Sequence, residues 1–184
     1  MAGVRRGTRV ALRILALSGS LRAASSNSAI LRIAARRAPA GWHVQVHPGL
    51  NDLPFFNPDL DGAFDDPALP HAVRTLRAMI ADSDALLISS PEYAHGVSGM
   101  MKNALDWLVG GPEMVAKRVA LINTAPHAAH AMAALGETLR TMSVAMCDEA
   151  CVAIPVPRNR SDDELNADDD VIVPLRAALT ALCR

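Results

Sequence analysis

Short apolar runs alternate with amphipathic stretches along most of the chain. Val10 to Leu17 and Ala85 to Ile88 are almost wholly apolar, as strands are when helices cover both faces of a parallel sheet. Trp42 to His47 alternates between apolar and polar residues, which predicts a more exposed strand. Two later apolar runs, Val119 to Ile122 and Ala150 to Ile154, complete a set of five predicted strands.

Helical periodicity fills the intervals between these strands, and it predicts five helices. They are Ser25 to Ala38, a helix from Pro67 capped by Asp65 or Asp66, Ser98 to Val109, Ala129 to about Met142, and a final helix carrying Leu175, Leu179 and Leu182. The acidic run Ser161 to Asp170 is predicted to be a solvated loop, with its last aspartates at the positive end of the final helix.

Five strands alternating with five helices indicate an α/β fold with a doubly wound parallel sheet. We expect one domain over residues 1–184, with about residues 1–8 as a ragged tail. Ligands of such sheets bind beyond the carboxyl ends of the strands. The loops after the first, third and fourth strands are therefore where chemistry is expected.

Composition narrows the possible partners. The net charge is −1 and only 3% of residues are aromatic, which argues against a nucleic-acid partner. Three cysteines do not suggest a disulfide framework, and we expect them to be buried free thiols. The sequence contains no run of 18 apolar residues, so it predicts no membrane span, and we expect a soluble cytoplasmic protein. We also expect no bound metal.

The first of these loops is unusually rich in hydrogen-bond donors. Residues 15–32 read LALSGSLRAASSNSAILR, so Ser20, Arg22, Ser25, Ser26 and Asn27 lie between the first strand and the first helix. A helix N-terminus offers free N–H groups and a partial positive charge, and an arginine adds a fixed charge. The pattern favours a cradle for one phosphate group over simple helix capping, which needs only one such residue.

Two other phosphate-binding loops are excluded by their residues. The chain has no G-x-x-x-x-G-K-[ST] motif, which disfavours a P-loop nucleotide hydrolase, and no G-x-G-x-x-G motif, which disfavours a dinucleotide held through its pyrophosphate.

A separate loop, Leu50 to Asp66, holds all three phenylalanines, Phe55, Phe56 and Phe64. We expect them to pin this loop to the body of the protein; the alternatives are that the loop packs against a partner subunit or lines the rim of a pocket.

The third loop carries a longer motif. Residues 89–107 read SSPEYAHGVSGMMKNALDW, and together with G-S-L-R-x-x-S-x-N this stretch resembles the NAD(P)H-dependent FMN reductases of the flavodoxin-like fold, a family that includes quinone, chromate and azo reductases. The residues that match the family's P-E-Y-N-x-S-x-P-G-x-L-K-N-A-x-D-W pattern are Pro91, Glu92, Tyr93, Gly99, Lys102, Asn103, Ala104, Asp106 and Trp107.

The resemblance implies a site and a fold. FMN would be the cofactor, with its phosphate on Ser20, Arg22, Ser25, Ser26 and Asn27. Its ring would lie along Pro91, Glu92, Tyr93 and Ala94 and beside the loop from Thr124 to His130. Ala94 stands where the family usually has asparagine. The implied fold is a flavodoxin-like, five-stranded parallel sheet in three α/β/α layers, with strand order 2-1-3-4-5.

The resemblance also implies an activity. NADPH or NADH would reduce the flavin at N5, and the flavin would reduce a small acceptor such as a quinone, an azo compound, chromate or free flavin. Flavin supplies the redox chemistry itself, so no catalytic side chain is expected. The alternatives are a flavin-binding electron carrier and a non-catalytic module of the same fold.

Three residues of the third loop and its helix have structural interpretations. Lys102 and Asp106 are four apart, which favours a surface ion pair or a loop-pinning contact. Glu92 is expected to form a hydrogen bond with the loop backbone.

The helix from Ser98 to Val109 is apolar nearly all round, which predicts a homodimer or homotetramer.

Overall fold

A computed structural model describes residues 12–63 and 66–184. The predicted N-terminal tail, the start of the first predicted strand, Phe64 and Asp65 lie outside the described residues. The first half of the chain forms β1 (Leu12–Ser18), α1 (Ser26–Arg36), β2 (Trp42–Val46), α2 (His71–Ala81) and β3 (Ala85–Ser89).

The second half begins with a small hairpin that the sequence did not indicate. Its strands are β4 (Glu92–Tyr93) and β5 (Gly96–Val97), and α3 (Gly99–Leu108) follows them. The chain then forms β6 (Arg118–Asn123), α4 (Ala129–Thr141), β7 (Ala145–Met146), β8 (Val152–Ala153), α5 (Asp162–Asn166) and α6 (Asp169–Leu182).

The main sheet is parallel and its order is β2-β1-β3-β6-β7, with β8 also paired to β6. This is the predicted 2-1-3-4-5 order, except that two short strands share the fifth position. β7 pairs with the start of β6 and β8 with its end, and a 3₁₀ turn at Asp148–Ala150 separates them. The predicted continuous strand from Ala150 to Ile154 was therefore wrong, because Ala150 lies in that turn, where its N–H donates to Cys147 O.

Alternate side chains of the central strands supply two cores, one on each face of the sheet. Ile14 and Ala16 of β1 pack with α1 and α6, whereas Leu15 and Leu17 pack with α2, α3 and α4. These two cores give the predicted three α/β/α layers. Among the described residues, no helix combines the length and apolar character needed to cross a membrane.

The second helix starts four residues later than predicted. Pro70 is its N-cap and His71 its first residue, so the helix does not begin at Pro67. Proline disfavours helical backbone at the preceding residue, which keeps Leu69 out of the helix. Asp66 instead caps the preceding turn, where its Oδ1 accepts from Ala68 N at 2.8 Å.

The acidic run is not the solvated loop that was predicted. Ser161 and Glu164 form a reciprocal capping box, and α5 begins there. Arg32 of α1 donates to both carboxylate oxygens of Asp162, at 2.6 and 2.8 Å, which ties α5 to α1. The last part of the prediction is confirmed, since Asp168 caps α6 and two aspartates occupy its first turn.

Helix α3 has one exposed face, so it is not apolar all round as predicted. Met101, Ala104, Leu105, Trp107 and Leu108 are buried within this chain. Lys102 and Asp106 lie on the exposed face and form the predicted i,i+4 pair at 2.5 Å. The apolar residues of α3 therefore do not by themselves require a partner subunit.

The loop after β2 is pinned to α3 by its aromatic and polar contacts. Phe56 packs edge-on against Trp107, with ring centroids 5.0 Å apart, and Phe56 N donates to Asn103 Oδ1 at 2.8 Å. Trp107 Nε1 and Asn103 Nδ2 both donate to Pro54 O. Phe55 lies between these anchored residues, yet it is 90% exposed. Phe56 thus confirms the interpretation that an aromatic side chain pins this loop to the body of the protein.

The three cysteines are free and half-buried rather than fully buried. Burial raises the pKa of Cys183 to about 11, so its thiol stays protonated near neutral pH.

A buried ion pair joins α2 to the turn that precedes β6. Arg77 Nε lies 2.7 Å from Glu113 Oε1, and the two side chains are only 3% and 5% exposed. Asp61 lies 3.7 Å from the same guanidinium. Removing one member of a buried pair leaves the other charge without compensation, and this cost is far greater than that of breaking an exposed pair.

We therefore expect Glu113→Gln to lower the free energy of unfolding by about 3–5 kcal/mol in urea denaturation. Lys102→Ala breaks the exposed pair on α3 and is the matched control, with an expected loss below about 1 kcal/mol. Equal losses for the two variants would contradict a structural role for the buried pair.

Candidate functional site

A cleft of about 480 Å³ lies at the carboxyl edge of the sheet. Its walls come from the loops that follow β1, β3, β6 and β8. The volume falls in the range of small-molecule and cofactor sites. The position is where the topology reverses between β1 and β3, which is the usual ligand site of a doubly wound sheet.

The first wall turns tightly away from β1. Gly19 N donates to Ser89 O at 2.9 Å, and Ser98 Oγ donates to Gly19 O at 2.7 Å. A Cβ at Gly19 would collide with Ser90 Oγ, so this close approach of two loops needs glycine. The β1 loop is thereby fixed against the β3 loop and the N-cap of α3.

The N-terminus of α1 faces this cleft. Ser25 is the N-cap, and its hydroxyl accepts from Ser28 N at 3.2 Å. The N–H groups of Ser26 and Asn27 make no hydrogen bond among residues 12–63 and 66–184. They are two of the four N–H groups that a helix leaves without an internal partner.

The Asn27 side chain joins the three strand-end loops. Its Oδ1 accepts from Thr124 Oγ1 at 3.2 Å and lies 2.8 Å from Ser89 Oγ, whose single hydroxyl hydrogen is shared between Asn27 Oδ1 and Ile122 O, the latter also 2.8 Å away. Asn27 is only 8% exposed, so these bonds fix the orientation of its amide. Its Nδ2 has no hydrogen-bond partner within the described part of the chain and remains a donor at the cleft wall.

The hairpin of β4 and β5 forms another wall and is held against α4. Glu92 Oε2 accepts from Ala131 N at 2.8 Å, so the carboxylate caps the first turn of α4. The rings of His95 and His130 stack with centroids 4.3 Å apart. Glu92 thus makes a structural hydrogen bond as predicted, but to the backbone of a helix and not to its own loop.

Ala94 and His95 are the two turn residues of this hairpin. Both have positive φ, at 49° and 60°, as a two-residue type I′ turn requires. Asparagine adopts this backbone more readily than alanine, which accounts physically for the usual asparagine at position 94. Ala94 is exposed and lies outside the cleft lining.

The loop after β6 is stabilised by the last residue of that strand. Asn123 Oδ1 accepts from Ala125 N at 2.9 Å, and Asn123 Nδ2 donates to Ala128 O at 3.4 Å. Thr124 O then accepts from Val156 N at 3.1 Å, which brings the segment after β8 to the cleft.

Nine of the ten predicted site residues line this one cleft, and Ala94 is the exception. The nine are Ser20, Arg22, Ser25, Ser26, Asn27, Pro91, Glu92, Tyr93 and Thr124. Sequence reasoning missed Ser90, Asn123 and the segment Pro155–Arg158. The Pro-Val-Pro-Arg run after the last strand was a usable signal, because the loop beyond every parallel strand opens on the same edge.

Ion pairs surround the cleft without entering it. Arg32 hydrogen-bonds Asp162 and holds the pKa of that carboxyl below its usual range. The hydrogen bond from Arg160 likewise lowers the pKa of Asp168. Arg22, by contrast, makes no ion pair within residues 12–63 and 66–184, and it is exposed at the rim of the cleft.

The family profile described as NADPH-dependent FMN reductase matches residues 12–156. The chain belongs to the NADPH-dependent FMN reductase family. The residues that match the family profile run from β1 through the fifth-strand position. They include the loops after β1, β3 and β6, which form most of the cleft.

Relatives of this reductase family are 34–39% identical to the chain over the segments that match. A probable NADPH:quinone oxidoreductase 2 of rice (Oryza sativa) is 39% identical over 62% of this chain and 56% of its own length. An NAD(P)H-dependent FMN reductase of Pseudomonas aeruginosa is 36% identical over 55% and 52%. A quinone reductase of Escherichia coli is 34% identical over 61% and 59%. The matched part is thus little more than half of each relative.

Solved structures match over nearly the whole chain. The flavoenzyme NAD(P)H:(acceptor) oxidoreductase FerB of Paracoccus denitrificans is 27% identical, with a TM-score of 0.72 over 93% of this chain and 97% of that one. A flavodoxin from the domain Archaea is 13% identical, with a TM-score of 0.60 over 93% and 96%. The second match shows the flavodoxin-like fold alone.

Proposed function

We propose that this protein is an NAD(P)H-dependent oxidoreductase that binds FMN in the cleft and reduces a small acceptor such as a quinone, an azo compound, chromate or free flavin. The observation that carries the proposal is the group of donors without partners at the start of α1. These donors are the N–H groups of Ser26 and Asn27 and the Asn27 Nδ2, and Arg22 lies at the rim beside them.

The phosphate of FMN fits the chemistry of this end of the cleft. Backbone N–H groups at a helix N-terminus bind a phosphate oxygen through hydrogen bonds and the helix dipole. The hydroxyls of Ser20 and Ser25 can add donors, and the Arg22 guanidinium can add a charge-assisted pair. The carboxylate of Glu92 also lines the cleft, but α4 already engages it.

A flat ring fits the other end of the same cleft. Pro91, Tyr93, Ala125 and Pro126 supply apolar surface there, from the loops after β3 and β6. Bound FMN would supply hydride acceptance from the nicotinamide and electron transfer to the acceptor. The loops after β3 and β6 would hold the ring, and the cleft would leave it accessible to substrate. No side chain is assigned a catalytic role.

The quinone-type acceptor rests on the relatives. Both the rice protein and the E. coli protein carry quinone in their names, and planar quinones can stack on an open flavin face. The cleft is the single site offered to both substrates in this proposal, so reductant and acceptor would alternate there. Reduced nicotinamide nucleotides are supplied in the cytoplasm, and the three free cysteines suit that compartment.

We also propose that the protein forms a homodimer or a homotetramer, and that Phe55 lies at a subunit interface. Phe55 is 90% exposed, but Phe56 and Pro54 on either side are bonded to α3. A large apolar ring held rigidly in water costs free energy that a partner surface removes.

We expect Arg22→Ala to weaken FMN binding by about 1.5–3 kcal/mol, or roughly 10- to 150-fold in Kd, because a hydrogen-bonded charge on the phosphate is lost. Titration of the apoprotein by quenching of flavin fluorescence measures this change. Riboflavin lacks the phosphate, so its weak binding should be the same in parent and variant.

Arg176→Ala is the matched control, because it removes an exposed arginine of α6 that has no ion pair among the described residues. It should leave both flavins unaffected. Equal losses of FMN and riboflavin affinity in Arg22→Ala would reject the phosphate assignment.

The dimer is tested by Phe55→Asp, which places a charge on the proposed interface. We expect a shift to monomer at micromolar concentration, measured by light scattering or sedimentation. Val173→Asp introduces the same charge at a valine of α6 that is 63% exposed, and it should leave the dimer intact. A monomeric parent, or a dimer that survives Phe55→Asp, would contradict this interface.

A further inference from the structure

A second arginine, Arg158, lines the same cleft as Arg22. It lies two residues beyond the part of the chain that matches the family profile, which ends at residue 156. The phosphate motif after β1 does not include it. Its placement comes from the segment after β8, which crosses beside the first turn of α1.

This segment is fixed on both sides of Arg158. On one side Val156 is buried, its N–H donates to Thr124 O at 3.1 Å, and its carbonyl accepts from Ser26 Oγ at 3.3 Å. On the other side Arg160 pairs with Asp168 and donates to Glu164 O at 3.0 Å. Pro157 further restricts the backbone next to Arg158. The backbone at Arg158 is therefore held near the N-terminus of α1, and its side chain is exposed at the cleft.

Other arginines around this helix already have acceptors. Arg32 and Arg36 pair with Asp162 and Asp163, and Arg37 donates to Asn166. Arg160 pairs with Asp168. Arg22 and Arg158 have no such acceptor within the described part of the chain, and these are the two that line the cleft. The cleft thus presents two guanidinium groups whose charge is not balanced by a neighbouring carboxylate.

We propose that Arg158 binds a phosphate monoester at the mouth of the cleft and so determines which phosphorylated ligand the protein prefers. The inference rests on the proposed function, since it assumes that FMN and a nicotinamide nucleotide occupy this cleft. Two ligands carry that chemistry: the phosphate of FMN, which Arg22 and Arg158 would share, and the 2′-phosphate that distinguishes NADPH from NADH. A planar guanidinium recognises either group with two parallel hydrogen bonds.

The test compares Arg158→Ala, Arg158→Lys and the control Arg176→Ala with the parent in two binding titrations. The first measures Kd for FMN and for riboflavin on the apoprotein. The second measures Kd for NADP⁺ and for NAD⁺ on the FMN-loaded protein by calorimetry, with kcat/KM for NADPH and NADH as a kinetic check. Arg158→Lys keeps the charge but loses the two-pronged geometry, so an intermediate effect is expected.

If Arg158 contacts the flavin phosphate, Arg158→Ala raises the FMN Kd by about tenfold or more and leaves riboflavin unchanged. If it contacts the nucleotide, FMN binding is unchanged, and the preference for NADP⁺ over NAD⁺ falls by about tenfold. Either result supports the proposal and identifies the ligand.

If Arg158→Ala matches the parent and Arg176→Ala in both titrations, the proposal is overturned while FMN binding by the parent still supports the proposed function. A parent that binds no FMN would overturn the proposed function, and the inference with it.

Discussion

Helix α1 begins at the edge of the sheet with backbone N–H groups that its own turns cannot satisfy. Every helix has such groups, but here capping by Ser25 accounts for only Ser28 N, and those of Ser26 and Asn27 face a cleft. The tight turn at Gly19 allows the chain to leave β1 and enter α1 without covering them. The proposed phosphate site depends on this uncovered helix start, because free N–H groups at a helix N-terminus favour an anion.

The remaining parts of the cleft are held in register by polar contacts between loops. Asn27 links the end of β3, through Ser89, to the end of β6, through Thr124. Thr124 O in turn accepts a hydrogen bond from Val156 N, so the segment after β8 is positioned by the same group of hydrogen bonds. Glu92 fixes the hairpin to α4 from the opposite side. A ligand would therefore meet walls whose positions are set before it binds, which lowers the entropy cost of binding.

Much of this arrangement could be predicted from the sequence. Apolar runs at β1 and β3 and the Ser-Arg-Ser-Ser-Asn cluster identify a parallel sheet with a donor-rich loop at its carboxyl edge. Prediction failed where a local signal was overlooked or where distant residues stabilise a segment. The Ser161-x-x-Glu164 capping box that starts α5 could have been read from the sequence, whereas the bond from Arg32 to Asp162 joins residues 130 positions apart. The broken fifth strand and Arg158 were missed for a related reason. The strand break depends on pairing between β6 and β8, which matches Ile122 with Val152, and the placement of Arg158 depends on the Ser26–Val156 contact, which joins residues 130 positions apart.

The most direct test of the account is to mix the FMN-loaded protein with NADPH or NADH without oxygen and follow the flavin absorbance. We predict that at least one nucleotide bleaches the flavin rapidly, and that adding a quinone restores the oxidised spectrum within the same cuvette. Such a cycle requires that reductant and acceptor both reach the flavin in the cleft between α1 and the β4–β5 hairpin. A protein that binds FMN but whose flavin neither NADPH nor NADH reduces would contradict the reductase function, and would leave a flavin-binding module in its place.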